Sequence, residues 1–323
     1  MSVTVLMPTY NCGLYISQAI QSILNQTYKN FEFLIIDDGS IDNTFEVISS
    51  FNDSRIVYKR IEHGGLSKAL NYGLNCASNE LIARMDSDDI SHPLRFERQL
   101  FFSSREKSEI IFTDSAFFLN NKILYTVVNI NKPNFTNRKL SLHGHFTHPS
   151  VIFHRRHILE LGGYNESLSI FEDYDLWLRI KDKSKFIFVN EILQFQRMRE
   201  SSLTNLDQNY LNKKFYEIQK PYYQDLKSFF SIFEADEQNQ VIGWREFFYG
   251  NKNLCRDHWQ KIRLNEWDYK MFLAYLISFL PSNFVNYFKK QRFRLRLQYL
   301  FNSNSKFKSL DKEFSKLLRE VSR

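Results

Sequence analysis

The chain has 323 residues, 16% of them aromatic, which is enough material for a large core and excludes wholesale disorder. Its formal net charge is +7, and the positive excess lies in residues 201–323, with 21 Lys and Arg against 13 Asp and Glu. This asymmetry indicates an anionic partner surface, such as membrane lipid, a polyanionic glycan or nucleic acid. Three scattered cysteines exclude a disulfide framework and are typical of a reducing compartment.

The chain shows no targeting or membrane-spanning signal. Residues 1–5 lack the basic and long apolar segments of a signal peptide. The longest apolar run, residues 271–280, is too short to span a bilayer. We therefore expect a cytoplasmic protein, either free or attached peripherally to the inner face of the cytoplasmic membrane.

The first 100 residues alternate strand and helix patterns. Buried strands are predicted at residues 3–7, 31–36, 55–61 and 81–85. Helical patterns separate them, beginning at Gly13, Asp42 and Leu66. Such alternation predicts an α/β fold: a Rossmann-like, mostly parallel sheet with helices on both faces.

The pattern changes further along the chain. Strand patterns are predicted at residues 109–113 and 122–128, and a helix at 155–161. Beyond about residue 206 the strand patterns vanish, and a helical period with few glycines replaces them. The sequence therefore predicts an α/β domain over residues 1–206 and a basic, aromatic-rich helical region over residues 207–323.

The stretch Asp86-Ser87-Asp88-Asp89 directly follows a predicted buried strand. Three carboxylates in four residues repel one another unless a cation joins them, and the carboxyl ends of parallel strands are where ligands bind. Oxygen ligands suit Mg²⁺ or Mn²⁺ carrying the phosphates of a substrate. The alternative is a solvated acidic turn that caps the next helix.

Two further strands end in polar residues on the same edge. Asp37-Asp38-Gly39-Ser40 ends the second strand, and Pro8-Thr9-Tyr10-Asn11 ends the first. The Asp38 carboxylate can accept hydrogen bonds from a base or a ribose, and Gly39 permits close backbone approach. Taken alone, Asp38 is better explained as a simple helix cap in a turn.

Acidic residues also open a later amphipathic helix, at Glu172-Asp173-Tyr174-Asp175. The helix dipole favours acids at this end, which is a sufficient structural explanation. The functional alternative makes one carboxylate a general base that deprotonates an attacking hydroxyl.

In this order, the motifs resemble glycosyltransferase family 2, the inverting nucleotide-sugar enzymes of GT-A fold. The resemblance covers about residues 3–205. It rests on the segments Val5–Asn11, Asp37–Ser40, Asp86–Asp88, His148–Val151, Gly162–Tyr164 and Glu172–Asp175.

For the donor, the resemblance implies that Asp38 binds the uracil or ribose. The residues implied to line the same pocket are Pro8, Thr9 and Asn11. Asp88 becomes the principal ligand of Mn²⁺ or Mg²⁺, and Asp86 contacts the metal or the ribose.

For the acceptor, the resemblance implies that Asp173 is the base and that Glu172 beside it orients the acceptor. Many relatives carry a histidine where this chain has Arg199. An arginine cannot ligate a metal, but it can grip a diphosphate. His145 and His148 remain candidates for a third metal ligand, although each is also explained as a structural hydrogen-bonding residue.

The implied activity is metal-dependent, inverting transfer of a sugar from a nucleotide sugar, expected to be a UDP-sugar. The expected acceptor is a hydroxyl of a glycan or glycolipid, in bacterial lipopolysaccharide or capsule synthesis. One alternative is a nucleotidyltransferase, which would need a Gly-rich, basic phosphate loop that residues 9–13 do not offer. The other is a non-catalytic glycan- or lipid-binding scaffold, which the intact Asp88 and Asp173 disfavour.

Basic and aromatic residues interleave over residues 284–296. This composition predicts helices lying on an anionic membrane surface. The alternatives are a packed helix with a solvated basic face, or a contact with a partner subunit. No nucleic-acid-binding module is visible, so nucleic acid is not an expected partner.

Overall fold

The computed structural model describes residues 1–106, 109–129, 136, 140, 146–199, 208–222, 235–249, 252–267, 269–281, 284 and 305–322. The chain divides into two compact units. Unit 1 comprises Met1–Lys132, Phe146–Arg199 and Asn304–Arg323, and unit 2 comprises Pro133–His145 and Glu200–Ser303. The domain boundary predicted at residue 206 lies outside the described residues and stays a prediction.

Unit 1 is built on a sheet whose described strands number nine, in the order β3-β2-β1-β4-β8-β6-β9-β5, with β7 paired to β6. The strands are β1 (Val3–Thr9), β2 (Phe31–Asp37), β3 (Ile56–Arg60), β4 (Leu81–Arg84), β5 (Ile90–Ser91), β6 (Ile110–Leu119), β7 (Lys122–Val127), β8 (Ile152–His154) and β9 (Phe186–Arg197).

The helices of the two units follow in chain order. The first six belong to unit 1 and are α1 (Ile16–Leu24), α2 (Thr44–Ser49), α3 (Leu66–Cys76), α4 (Arg95–Glu106), α5 (Arg155–Glu160) and α6 (Glu172–Ile180). Unit 2 contains α7 (Gln208–Gln219), α8 (Ala235–Tyr249), α9 (Lys252–Trp259) and α10 (Tyr269–Ser278), and α11 (Ser305–Val321) returns to unit 1.

The first four strands form the parallel half of the sheet, as the sequence predicts. β1 lies between β2 and β4, and β2 pairs with β3, all in parallel. The side chains of β1, β2 and β4 are mostly apolar and almost all buried, because helices cover both faces, whereas those of the edge strand β3 are only partly buried. The register sets Thr9 opposite Asp37 and Leu6 opposite Arg84. The carboxyl ends of β1, β2 and β4 therefore meet at one edge, which confirms the α/β prediction.

The second half of the sheet is mixed. β8 lies antiparallel between β4 and β6, while β9 runs parallel to β6, with shifts in register around Asp114. The far part of β9 pairs antiparallel with β5, so that Ile90 lies opposite Phe195. This pairing brings the chain that follows the acidic segment against the end of β9.

The last helix of the chain packs on this mixed half. Phe314 of α11 lies 4.7 Å, between ring centroids, from both Phe118 and Phe195. Leu317 and Val321 are buried in the same cluster. The last helix of the region predicted at residues 207–323 thus belongs to unit 1.

Unit 2 is helical wherever it is described. Its core surrounds the buried Trp259, which packs against Trp244, Phe247 and Met271. The basic segment predicted at residues 284–296 lies outside the described residues, apart from residue 284. Among the helices that the structure describes, none is long and apolar enough to cross a bilayer.

Candidate active site

Three carboxylates gather directly after β4. Asp86, Asp88 and Asp89 each offer an oxygen, and these oxygens all lie within 4.8 Å of one another. Burial, and next the negative charge of Asp86, raise the pKa of Asp88 to about 6. A compact donor set made only of carboxylate oxygens fits Mg²⁺ or Mn²⁺.

Each predicted metal ligand also faces an arginine. Asp86 Oδ1 lies 2.6 Å from Arg84 Nη1. Asp88 Oδ2 lies 2.7 Å from Arg199 Nε, and the Arg199 guanidinium lies 5.3 Å from the centroid of the Tyr15 ring. The structure therefore places Arg199 at the acidic cluster, where its charge partly neutralises Asp88.

Asp89 has a different environment from its two neighbours. It is buried, and its carboxylate accepts hydrogen bonds from the Arg197 backbone N–H (2.9 Å) and from Gln194 Nε2 (3.2 Å). Arg197 Nε also donates to the Asp88 carbonyl (2.9 Å). Asp89 thus fixes the acidic segment to β9, whereas Asp86 and Asp88 are more exposed.

A fully buried arginine holds this arrangement in place through hydrogen bonds. The Arg95 guanidinium donates to Gln99 Oε1 (3.0 Å), Gln194 Oε1 (2.9 Å) and the Arg84 carbonyl (2.8 Å). Burial, reinforced by the charge of Arg84, lowers the pKa of Arg95 to about 9. Sequence reasoning missed this network, since Arg95 and Gln99 look like an ordinary i, i+4 pair on a helix.

Asp38 lies at the end of β2, and its carboxylate is already engaged. Oδ1 accepts the Gly64 N–H (2.8 Å), and Oδ2 accepts the Gly65 N–H (2.9 Å) and lies 2.9 Å from His63 Nδ1. Gly39 has φ +78°, and a Cβ there would lie 3.0 Å from the backbone nitrogen of His63. Asp38 therefore shapes the loop of residues 63–65, and its predicted contact with the nucleotide stays a prediction.

The end of β1 supplies polar and aromatic groups to the same edge. Thr9 Oγ1 is buried and has no hydrogen-bond partner among the described residues. Tyr10 stacks on His63 with 4.2 Å between ring centroids. Asn11 adopts φ 48°, and its Oδ1 accepts the Ile41 N–H (2.9 Å), while Pro8 is buried inside β1. Asn11 and Pro8 thus shape the edge that Thr9 and Tyr10 line.

α6 begins at Glu172, after Phe171 in the left-handed region at φ 61°. His148 Nε2 lies 2.8 Å from the Tyr164 hydroxyl, and its Nδ1 lies 3.7 Å from Glu172 Oε1. Burial, reinforced by the charge of Arg84, lowers the pKa of His148 to about 4. His148 is therefore neutral at pH 7 and bridges two parts of the site.

The two adjacent acids of α6 differ in pKa. Burial alone would raise the pKa of Glu172, but its interactions with His148, a backbone N–H and Arg84 together outweigh burial, and the pKa lies below its ordinary value. Burial, and next the charge of Glu172, raise the pKa of Asp173 to about 8. Asp173 keeps some solvent exposure, and its Oδ1 accepts the Tyr174 N–H (2.7 Å). Of the two, Asp173 is the stronger base.

Arg84 links the acidic cluster to α6. This buried cation pairs with Asp86. Its charge also favours the ionised forms of Glu172 and Asp173, and for Asp173 it offsets part of the rise in pKa. One of the predicted metal ligands, Asp86, and the candidate base Asp173 thus interact with the same arginine. Sequence analysis did not single Arg84 out, although a charged residue inside an otherwise apolar strand was the available signal.

The Gly162-Gly163 turn seats Tyr164. Asn71 of α3 donates through Nδ2 to the Tyr164 carbonyl (2.8 Å) and accepts its N–H at Oδ1 (2.8 Å). Gly163 has φ +64°, and a Cβ there would lie 2.7 Å from Asn71 Oδ1. Arg179 of α6 donates to the Gly163 carbonyl (2.6 Å). The turn therefore holds the Tyr164 hydroxyl at His148.

Two histidines were candidates for a third metal ligand, and the structure describes only one of them. His145 lies outside the described residues. His148 is buried against Tyr164 and Glu172 and does not join the group of Asp86, Asp88 and Asp89. The part of the chain that the structure describes thus offers no histidine to this cluster.

Known glycosyltransferases and related proteins are similar to this chain in sequence. The O-antigen biosynthesis glycosyltransferase WbnJ of Escherichia coli is 36% identical over 183 residues, 55% of this chain and 71% of WbnJ. An uncharacterized glycosyltransferase of Rickettsia typhi, RT0329, is 30% identical over 65% of this chain and 68% of its own length. The minor teichoic acid biosynthesis protein GgaB of Bacillus subtilis is 31% identical, over 66% of this chain and 25% of GgaB.

Solved structures agree on the architecture. S. aureus TarS 1–349 in complex with UDP-GlcNAc superposes with a TM-score of 0.60 at 18% identity, covering 100% of this chain and 92% of TarS 1–349. The mannosyltransferase PcManGT from Pyrobaculum calidifontis, in complex with GDP-Man and Mn²⁺, gives 0.56 at 13% identity, with 99% and 85% covered. At these identities the likeness shows the fold, which is GT-A. A sequence model of Glycosyl transferase family 2 matches residues 4–162, and with the relatives above it shows that this chain belongs to that family.

Proposed function

We propose that this glycosyltransferase is a metal-dependent, inverting enzyme that moves a sugar from a UDP-sugar to a glycan hydroxyl. The observation that carries the proposal is that buried Arg84 interacts both with Asp86, which groups with Asp88, and with Asp173. A donor-phosphate site and a base then lie at one edge of the sheet. We propose surface glycan synthesis, in lipopolysaccharide or capsule, because WbnJ is an O-antigen enzyme and GgaB a teichoic acid protein.

Asp86 and Asp88 would hold the metal in this proposal, since both offer carboxylate oxygens at the acidic cluster. When bound, Mn²⁺ or Mg²⁺ neutralises the diphosphate leaving group. Arg199 adds a second cation beside Asp88, and its planar guanidinium suits a diphosphate oxygen. Asp89 holds the segment in place by its bonds to β9.

Asp173 would take the proton of the acceptor hydroxyl as that oxygen attacks the anomeric carbon. Its pKa of about 8 makes it a better base than an ordinary aspartate, while a useful fraction is ionised near neutral pH. Glu172 stays ionised against neutral His148 and would orient the acceptor. One base and direct displacement would invert the anomeric configuration.

The nucleotide would lie at the ends of β1 and β2. The unpaired Thr9 Oγ1 can bond a polar atom of the donor, and the exposed Tyr10–His63 pair offers a face for the base. Asp38 would contribute to nucleotide binding indirectly, because its carboxylate holds the loop of residues 63–65 in place. TarS has been solved with UDP-GlcNAc and with UDP, which supports a uridine donor.

The test is donor turnover by the purified full chain, with a panel of UDP-, GDP- and CMP-sugars, in Mn²⁺ or in EDTA. We expect release of UDP from one donor, loss in EDTA, and a fall of at least about 10²-fold in Asp88→Ala. Asp173→Asn should bind the donor but fail to transfer to an acceptor. The matched control is Asp53→Ala, since Asp53 pairs only with its neighbour Arg55 and should leave turnover unchanged.

The rival functions are distinguished when a further arm of the assay supplies a nucleoside triphosphate and a sugar 1-phosphate. A nucleotidyltransferase would release pyrophosphate from a nucleoside triphosphate and a sugar 1-phosphate. A non-catalytic scaffold would show neither turnover nor metal-dependent nucleotide binding. Either outcome would overturn the proposal. The cytoplasmic location expected from the sequence stays part of the proposal.

A further inference from the structure

Helix α10 presents an apolar face to solvent. Its buried side holds Met271 and Ala274 against the core of unit 2. The other side, with its continuation, carries five large apolar residues at helical spacing, with exposed fractions between 38% and 60%. These residues, named here the α10 face, are Phe272, Leu273, Leu276, Phe279 and Leu280.

The sequence from the start of α10 onwards is rich in basic residues and contains no acidic ones up to residue 310. Residues 269–310 contain eight Lys and Arg and no Asp or Glu. Within unit 2, Lys252 Nζ donates to the Leu280 carbonyl (2.8 Å) and Arg256 Nη1 to the Ser278 carbonyl (2.8 Å). The Arg256 guanidinium also lies 4.5 Å from the centroid of the Phe279 ring. Two cations therefore lie at the end of α10.

We propose that the α10 face docks into the interface of a bilayer that contains anionic lipids. Apolar side chains flanked by cations match the acyl boundary and the charged headgroups of such a surface. A nucleic acid would use the cations but not the apolar face. A second copy of the chain would bring Lys252 and Arg256 of both copies to one apolar contact, and their like charges would repel.

The length of the helix fixes the mode of docking. α10 has 10 residues, about half of the roughly 20 that a spanning helix needs. The helix therefore lies in the plane of the membrane, with the α10 face down. The protein then binds the membrane peripherally and exchanges reversibly between the membrane and solution.

The experiment is flotation of the full chain with vesicles of phosphatidylcholine alone, or with one third phosphatidylglycerol. We expect binding to the anionic vesicles, weakened by 0.5 M NaCl. The double variant Leu273→Gln/Leu276→Gln should partition at least about tenfold less, since it removes two half-exposed leucines from the contact. Both side chains point to solvent, so the melting temperature should stay within a few degrees of the parent.

The matched control is Leu254→Gln on α9, an equally exposed helical leucine of unit 2 with Asp257 three positions on. It should float as the parent does. Equal flotation of the double variant and the parent would overturn the proposal, as would a parent that binds no vesicle. A dimer that the double variant abolishes would instead identify a second copy as the occupant. Donor turnover is measured separately, so failure of docking leaves the proposed activity untouched.

Discussion

As the proposed general base, Asp173 must meet two requirements that conflict. A general base must be ionised to accept a proton, yet burial and the charge of Glu172 favour its protonated form. The opposing charge of Arg84 limits this effect. The carboxylate is thus a strong base that is only partly ionised at neutral pH, and both its reactivity and its contribution to stability depend on pH.

We expect the rate of sugar transfer at saturating metal to rise with pH and level off above about pH 8. Below that pKa only the ionised fraction of Asp173 reacts, so kcat/KM should fall about tenfold per pH unit. The measurement is kcat/KM from pH 6 to 9, with Asp53→Ala as the control that keeps the same profile. A profile that is flat over this range would rule out Asp173 as the titrating base.

Asp173→Asn should stabilise the fold at alkaline pH. The pKa of Asp173 is raised on folding, so its folded form binds the proton more tightly, and stability falls as pH rises from about 4 to about 8. Removing the charge should add about 1–3 kcal/mol to the free energy of unfolding at pH 8 and far less at pH 5. Urea unfolding at both values measures the difference.

Asp53→Asn provides a comparison of opposite sign. The hydrogen bond from Arg55 lowers the pKa of Asp53 to about 2, so its contribution is present above pH 4 and is lost as pH falls towards 2. Its loss should cost less than about 1 kcal/mol at pH 8 because the pair lies near the surface. Equal effects of both substitutions at pH 8 would contradict the burial of Asp173.

At the scale of elements, the spacing of apolar residues along the chain predicted the strands correctly where they are parallel and covered by helices. The strand predicted at residues 31–36 is β2, and the helix predicted from Leu66 is α3. β5 and β8 were not predicted, because a two- or three-residue strand is defined by its partner and not by its own pattern. Long-range pairing therefore decided the mixed half of the sheet.

The contact of α3 with the sheet gives a prediction at this scale. A Cβ at Gly73 would lie 2.2 Å from Leu6 Cδ1, so Gly73→Ala should overpack the contact with β1. We expect a loss of about 1–3 kcal/mol, in spite of the gain of about 1 kcal/mol in helix propensity. Asn75→Ala on the exposed side of α3 is the control and should change stability by less than about 0.5 kcal/mol. Urea unfolding compares the two, and a stabilised Gly73→Ala would contradict the close packing.

At the scale of the whole molecule, the chain returns to its first unit at its end. Residues 304–323 join unit 1, after the intervening residues of unit 2. In α11, Phe314 packs against both Phe118 and Phe195 on the mixed half of the sheet, and all three side chains are fully buried. The stability of the catalytic unit therefore depends on residues far from it in sequence.

Phe314→Ala should lower the free energy of unfolding by about 3–5 kcal/mol, because it empties a buried aromatic contact. Lys316→Ala on the same helix is exposed and should cost less than about 0.5 kcal/mol. The measurement is thermal unfolding followed together with nucleotide binding. Unit 1 should lose both at the same lowered temperature, whereas unchanged unfolding of Phe314→Ala would show that α11 adds no stability.

The sequence by itself determined the parallel half of the fold and its family, since buried strands, helix periods and polar strand ends are local patterns. It also drew attention to Asp38, Asp88 and Asp173 as the carboxylates of the site. Only the tertiary structure showed that Arg84 interacts with both Asp86 and Asp173, and that buried Arg95 donates a hydrogen bond to the Arg84 carbonyl. Such buried polar residues are defined by partners distant in sequence, and no local pattern distinguishes them from surface charges.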